Sequence, residues 1–182
     1  MGNLWFTSDH HFGHEKIRFY CERPFESVEA MDEAMIANWN GVVEAKDTVY
    51  HLGDLFLCEV AEAKRIRNRL NGSICLIRGN HDKTAEQMKT AFEWMKDYYE
   101  LKVEDKDIED EREAGKQRII LCHYAFRVWN KSNRGSWHLY GHSHGGLPDD
   151  PNSLSFDAGV DCHDFRPISY EEVKETMREK SR

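Results

Sequence analysis

Apolar positions along the chain follow two rhythms. Leu4–Ser8, Thr48–Leu52 and Ser73–Arg78 are short, nearly unbroken apolar runs with the length of buried strands. Between them the spacing changes to threes and fours. Val28, Met31, Met35 and Trp39 share one helical face, and so do Val60, Ala63, Ile66 and Leu70. A third helix is expected from Thr84, whose hydroxyl would cap it with Gln87 three residues on, and whose inner face would be Met88, Phe92 and Met95. The second half reads mainly as strands, at Tyr98–Val103, Gln117–Cys122, Ser136–Tyr140 and Leu154–Asp157. A last helix is expected after Pro167, with Ser169 and Glu172 at capping-box spacing and Val173 and Met177 facing inward. Strand–helix alternation followed by strand-rich sequence predicts an α/β domain with substantial sheet and outer helices. At 182 residues, the chain reads as one domain over 1–182, long enough to bury a core without disulfides.

Composition narrows the function classes. With 40% hydrophobic and 32% charged residues and only 4 prolines, the chain is globular rather than disordered. The formal net charge of −8 disfavours a sequence-independent grip on long duplex DNA, where cations supply most of the affinity. No apolar run approaches the roughly 20 residues of a membrane span. The start, MGNLWFTSDHHFGH, reaches charge and histidine too soon for a signal peptide. The five cysteines (21, 58, 75, 122 and 162) form no CxxC pair, which points to reduced core thiols in a cytoplasmic protein. Cys122 is expected to point away from its neighbour His123. The stretch Glu104–Glu113, seven acids and two bases, reads as a solvated hairpin tip. Lys64, Arg65, Arg67 and Arg69 read as the wet face of a helix.

The ten histidines change the picture, because they cluster where apolar runs end. Leu4–Ser8 is followed by Asp9-His10-His11, Thr48–Leu52 by Gly53-Asp54, and Ser73–Arg78 by Gly79-Asn80-His81-Asp82. Ile119–Cys122 is followed by His123, and Ser136–Tyr140 by Gly141-His142-Ser143-His144. Sites in open α/β sheets form beyond the carboxyl ends of strands, so five clusters far apart in sequence can converge. Carboxylates, an amide and imidazoles form a mixed N/O donor set without thiolate. It suits Mn²⁺, Fe²⁺ or Ni²⁺, admits Zn²⁺, and is unlike a closed structural zinc cage. One carboxylate can bridge two cations, at the spacing of about 3.5–4 Å used for in-line attack on phosphorus. Gly53, Gly79 and Gly141 precede ligands where the chain must turn sharply, and glycine allows positive φ and close approach there.

These ordered blocks, D-x-H, G-D, G-N-H-D, a lone H and G-H-x-H, span residues 9 to 144. Together they resemble the calcineurin-like metallophosphoesterases, and the small size is similar to their compact bacterial and phage members. Tyr124 is a departure, since many members place glycine after the lone histidine. The resemblance implies an α/β fold in which a two-sheet β-sandwich is flanked by helices (α/β/β/α). It implies that Asp9, His11 and His144 hold one metal and that Asn80, His123 and His142 hold a second, with Asp54 bridging. It implies two divalent metal ions, manganese first, and hydrolysis of phosphomonoesters or phosphodiesters.

The expected mechanism is attack by a metal-bridging hydroxide, with His81 assisting the leaving group and Asp82 orienting the His81 imidazole. Diesters are favoured because His81 can assist a poor alkoxide; a phosphomonoesterase or nucleotidase would share the same metal core. A non-catalytic scaffold of this fold would be expected to have lost ligands or His81, and none is lost here. Expected substrates are phosphate-ester small molecules or nucleotides; no long duplex nucleic acid and no membrane is expected, and oligomeric state is unreadable. His10 should point opposite to its neighbours into a packed position, and His51 and His138 read as hydrogen-bonded core histidines. His14 either touches substrate phosphate or caps the helix start near Glu15. The segment from Arg127 to Arg134 follows His123 and is expected to overhang the site. It reads either as a phosphate- and base-binding surface, with Arg127 as a substrate contact and Trp129 and Trp137 near, or as a solvated loop with buried tryptophans.

Overall fold

A computed structural model describes residues 2–108 and 115–180. Its order is β1 (Leu4–Thr7), α1 (Ile17–Tyr20), α2 (Val28–Val42), β2 (Thr48–His51), α3 (Val60–Arg67), β3 (Ser73–Ile77), α4 (Lys83–Glu86) and β4 (Trp94–Lys96). There follow β5 (Tyr98–Glu104), β6 (Lys116–Cys122), β7 (Trp137–Tyr140), β8 (Ser155–Asp157), β9 (Ile168–Ser169) and α5 (Tyr170–Lys180). One sheet runs β4-β3-β2-β1-β9 and the other β5-β6-β7-β8. Helices flank the two sheets, as expected.

The strands alternate between two cores. Val49 and Ile74 face the helices, joining Met31, Met35, Trp39, Ala63 and Ile66 from α2 and α3. Their neighbours Tyr50 and Cys75 face the second sheet, packing with Ile119, Leu121, Trp137, Leu139 and Phe156. This is the period-two alternation of a sheet buried on both faces. Val173 and Met177 of α5 join that inter-sheet core, so α5 closes its margin. The Ser169–Glu172 capping box forms: Glu172 Oε2 accepts from the Ser169 N–H at 2.7 Å and Ser169 Oγ accepts from the Glu172 N–H at 3.2 Å.

The third helix does not extend as expected. Residues 83–86 make one helical turn, Lys89–Ala91 one 3₁₀ turn, and Trp94–Lys96 then pairs in parallel with Cys75–Ile77 of β3. Thr84 is not the cap; its hydroxyl donates to the Cys58 carbonyl at 2.9 Å. The ladder along the β3 edge satisfies backbone groups that a continued helix would have left unpaired on that strand. Met88 and Phe92 are buried all the same.

Three surface expectations also change. The acidic stretch begins docked rather than solvated: Asp105 is buried and accepts from Tyr170 Oη at 2.6 Å and Lys174 Nζ at 2.7 Å. Asp107 accepts from Lys174 and Arg178, each at 2.7 Å, and the rest of that stretch, from residue 109, lies outside the described residues. The like charges are tolerated because α5 brings cations to them. Arg67 leaves the wet face to donate to the carbonyls of Leu70, Gly72 and Ala91. Of the cysteines only Cys75 and Cys122 are buried; Cys21 and Cys58 are half-buried and Cys162 is exposed.

Candidate metal centre

β1, β2 and β3 are mutually parallel, as are β6 and β7, so their carboxyl ends gather at one edge of the molecule. Backbone bonds lock the loops beyond those ends to one another. The Asp9 N–H donates to Gly53 O, the His11 N–H to Asp54 O, and the Gly141 N–H to His123 O, each at 3.0 Å. Asp9 Oδ2 accepts from the His142 N–H at 2.9 Å, tying the two sheets together across the site.

Five of the seven expected ligands have left-handed backbone: Asp9 (φ 58°), His11 (52°), Asp54 (56°), His142 (67°) and His144 (47°). Few non-glycine residues sit there, and such strain, of order 1–3 kcal/mol per residue, gathers at functional sites. It falls on the ligands themselves, because of the three preceding glycines only Gly53 has positive φ. Gly79 is there for closeness: a Cβ on it would overlap Asp54 Oδ1.

Six of the seven expected ligands fall in two donor groups, Asp9–His11–His144 and Asp54–His123–His142, each with its ligand atoms within 4.8 Å of one another; a third group, Cys21–His144–Asp161, shares His144. His11 Nε2 lies 3.9 Å from Asp9 Oδ1 and 3.5 Å from Asp54 Oδ2; His123 Nε2 lies 3.7 Å from Asp54 Oδ2 and 3.2 Å from Asn80 Oδ1. Donors sharing a cation at about 2.1 Å sit about 3–3.5 Å apart, so these spacings need only slight contraction. Asp54 Oδ2 faces both groups, while Oδ1 is held by the His81 N–H at 2.8 Å.

The donor chemistry also fits cations. Asp9 Oδ1 and both His11 ring nitrogens are buried without hydrogen-bond partners among the described residues, a costly state unless something else pairs them. Burial pushes the Asp9 carboxyl up to about 8 despite nearby His144, a sign of too little positive charge around it. Burial and then His144 hold His11 down at about 2, keeping the imidazole neutral as a ligand must be. His123 Nδ1 pairs with the Leu52 carbonyl at 2.8 Å, which leaves Nε2 toward the centre. His144 Nδ1 pairs with Asp161 at 2.7 Å; burial lowers that imidazole, but the Asp161 bond prevails and lifts it to about 10, so His144 would release a proton on binding a cation. Metal-ligating histidines are oriented in this way by a carbonyl or carboxylate on the far nitrogen.

A model of the calcineurin-like phosphoesterase superfamily domain matches residues 4–152. This chain belongs to that superfamily. A protein of Methanocaldococcus jannaschii described as uncharacterized protein MJ1445 is 32% identical over 176 residues, covering 93% of this chain and 88% of its own length. The gene 66 protein of Mycobacterium phage L5 is 40% identical over 55 residues, covering 30% of this chain and 26% of its own. The crystal structure of AQ665 from Aquifex aeolicus, a protein of unknown function, superposes with a TM-score of 0.70 at 24% identity, covering 96% of this chain and 99% of that one. That likeness concerns the fold.

The remaining superfamily positions separate cleanly. His81 is exposed, 5.6 Å ring to ring from His11, and outside both donor groups. Asp82 does not orient that ring. Its two oxygens accept from the backbone N–H groups of Asp54, Leu55 and Gly79 at 2.7–2.9 Å, so it positions the Asp54 loop instead. His10 turns inward, its Nδ1 3.0 Å from His51 Nε2, stacked on Phe12. His138 is hydrogen-bonded within the core region, to Ile120 O and the Phe126 N–H. Lys16 holds the cap position of α1; the His14 carbonyl accepts from the Ile17 N–H at 3.3 Å, and His14 lines a cavity of 590 Å³ over the site with His11, Asp54, Asn80 and His81.

Arg127 is exposed and does not line that cavity, and Trp129 packs on His138 and donates to Ser136, so the 127–134 segment covers β7 rather than the metal centre. Tyr124 stands edge-on to His123 and His142, at 5.0 and 4.9 Å. Two participants escaped the sequence reading. Arg23 is buried, donates to the carbonyls of Asp9 and His10 at 2.7 and 2.9 Å, and pairs with Asp161 at 2.7 Å. Asp161 in turn holds His144. Neither carries a local signal, because their partners are far away in the chain.

Proposed function

We propose that this chain is a dinuclear-metal-dependent phosphoesterase that prefers phosphodiesters. The observation that carries this is Asp54 Oδ2, facing His11 Nε2 at 3.5 Å and His123 Nε2 at 3.7 Å and so linking two donor groups. Asp9, His11 and His144 would hold one cation; Asn80, His123 and His142 the other; Asp54 both. Manganese heads the candidates, with iron, nickel and zinc also suited to this donor set. When bound, the pair would neutralise phosphate oxygens and supply an ionised water for in-line attack.

The chain's own side chains do the rest. His81 stands beside both groups with its ring free to reach a leaving oxygen, and would give a proton to a departing alkoxide. Asp82 fixes the turn that aims Asp54. Asp161, braced by Arg23, fixes the His144 ring. His14, on the cavity wall, would contact the phosphate or its ester group. The substrate is then a small phosphate ester or nucleotide, handled in the cytoplasm. The assay is manganese-loaded protein on bis-p-nitrophenyl phosphate and p-nitrophenyl phosphate. Turnover of both, with kcat/KM higher on the diester, is expected. A higher value on the monoester would make the protein a phosphatase or nucleotidase, and no turnover of either would contradict the proposal.

A further inference from the structure

The cavity over the metal centre does not end at His81. A second cavity, of 790 Å³, shares Leu57, Asn80 and His81 with the first and continues past Glu59, Lys83 and Thr84. The cleft therefore passes His81 with room on both sides of the position a phosphate would take. A phosphate carrying one ester group fills one lobe; a diester fills two.

The two lobes differ in chemistry. On the first side the rings of His11, His14 and Tyr20 step outward from the metal centre, 5.4 and then 6.3 Å between centroids. Tyr20 is 70% exposed, a large ring left open at the cavity wall with Ile17 and Leu57 lining it beside. An open aromatic face beside apolar side chains is a stacking platform for a heteroaromatic ring. On the other side, exposed Lys83 and Glu59 make a polar lobe suited to a hydroxylated or charged group.

We propose that the cleft holds a nucleoside phosphodiester, its base stacked on Tyr20 and its second ester group in the polar lobe beside Lys83. This rests on the phosphoesterase reading and names its substrate class. The phosphate position is set by the metal donors and His81, the base position by Tyr20, and selectivity comes from the first lobe.

The test compares two esters with the same leaving group, thymidine 5′-(p-nitrophenyl phosphate) and methyl p-nitrophenyl phosphate, on manganese-loaded protein. The nucleoside ester is expected to have at least a tenfold higher kcat/KM, carried mainly by KM. That preference should fall about tenfold in Tyr20→Ala, the scale of one lost base-stacking contact, and return in Tyr20→Phe. A ratio near one in the unaltered protein, or a ratio unchanged in Tyr20→Ala, would overturn the proposal. Turnover of neither ester would sink the phosphoesterase reading instead. The subsite is then read by calorimetric titration with thymidine 5′-monophosphate and manganese, where weaker binding by Tyr20→Ala supports it and equal binding overturns it.

Discussion

Asp54 divides its work between two oxygens. One accepts from the His81 backbone N–H, and the other faces both histidine groups. Its own backbone is left-handed, and Asp82 holds its N–H, so the carboxylate has little freedom to turn away. His81 shares this turn without belonging to either donor group, so on the proposed reading the residues that hold cations are separate from the one that moves a proton. His81→Ala is therefore expected to keep its full manganese stoichiometry by elemental analysis. Turnover of a diester with an alkoxide leaving group should drop by about 10²–10⁴-fold, and that of a nitrophenyl ester much less, since nitrophenolate departs without a proton. Loss of manganese in that variant would contradict the assignment. At this scale the ligand candidates were legible because each sits in a short motif at the end of an apolar run. Arg23 and Asp161 were not, because a buried Arg–carboxylate pair 138 residues apart leaves no local spacing to read.

Elements matter here through their ends. β1, β2, β3 and β7 are short, and with β6 they deliver chain to one edge in a common direction. The loops leaving them approach so closely that side chains are excluded at chosen points, Gly79 against Asp54 and Gly141 against Ser8 and Asp9. Gly79→Ala is expected to destabilise the fold by about 1–3 kcal/mol in urea unfolding, as overpacking does, and to weaken manganese binding because Asp54 must shift. Unchanged stability together with unchanged manganese affinity would show that the loop has slack the structure denies. Seven of the nine strands among the described residues, with α2, α3 and α5, followed from apolar spacing and capping; β4 and β9 did not. The expected helix from Thr84 failed because Met88, Phe92 and Met95 satisfy helical spacing by coincidence. Phe92 instead leads into an edge strand whose worth lies in pairing with β3, a partner no local pattern names. The acidic stretch misled for the same reason: its counter-charges, Lys174 and Arg178, come from the far end of the chain.

The whole molecule is a frame that brings two sheets together so that each contributes ligand candidates. The loops of the first sheet carry Asp9, His11, Asp54 and Asn80, and those of the second carry His123, His142 and His144. The sandwich core between them sets the distance across the candidate centre, so on the proposed reading both sheets are needed to hold two cations. No helix among the described residues is long and apolar enough to cross a membrane. The net charge of −8 is offset where phosphate must sit if two divalent cations occupy the carboxylate-rich edge. That occupancy is the centre of the account, and electron paramagnetic resonance of the manganese-loaded protein tests it most directly. Two manganese ions per chain with an exchange-coupled spectrum, reduced to an uncoupled signal in Asp54→Ala, is the expected result. A single uncoupled manganese in the unaltered protein would contradict it.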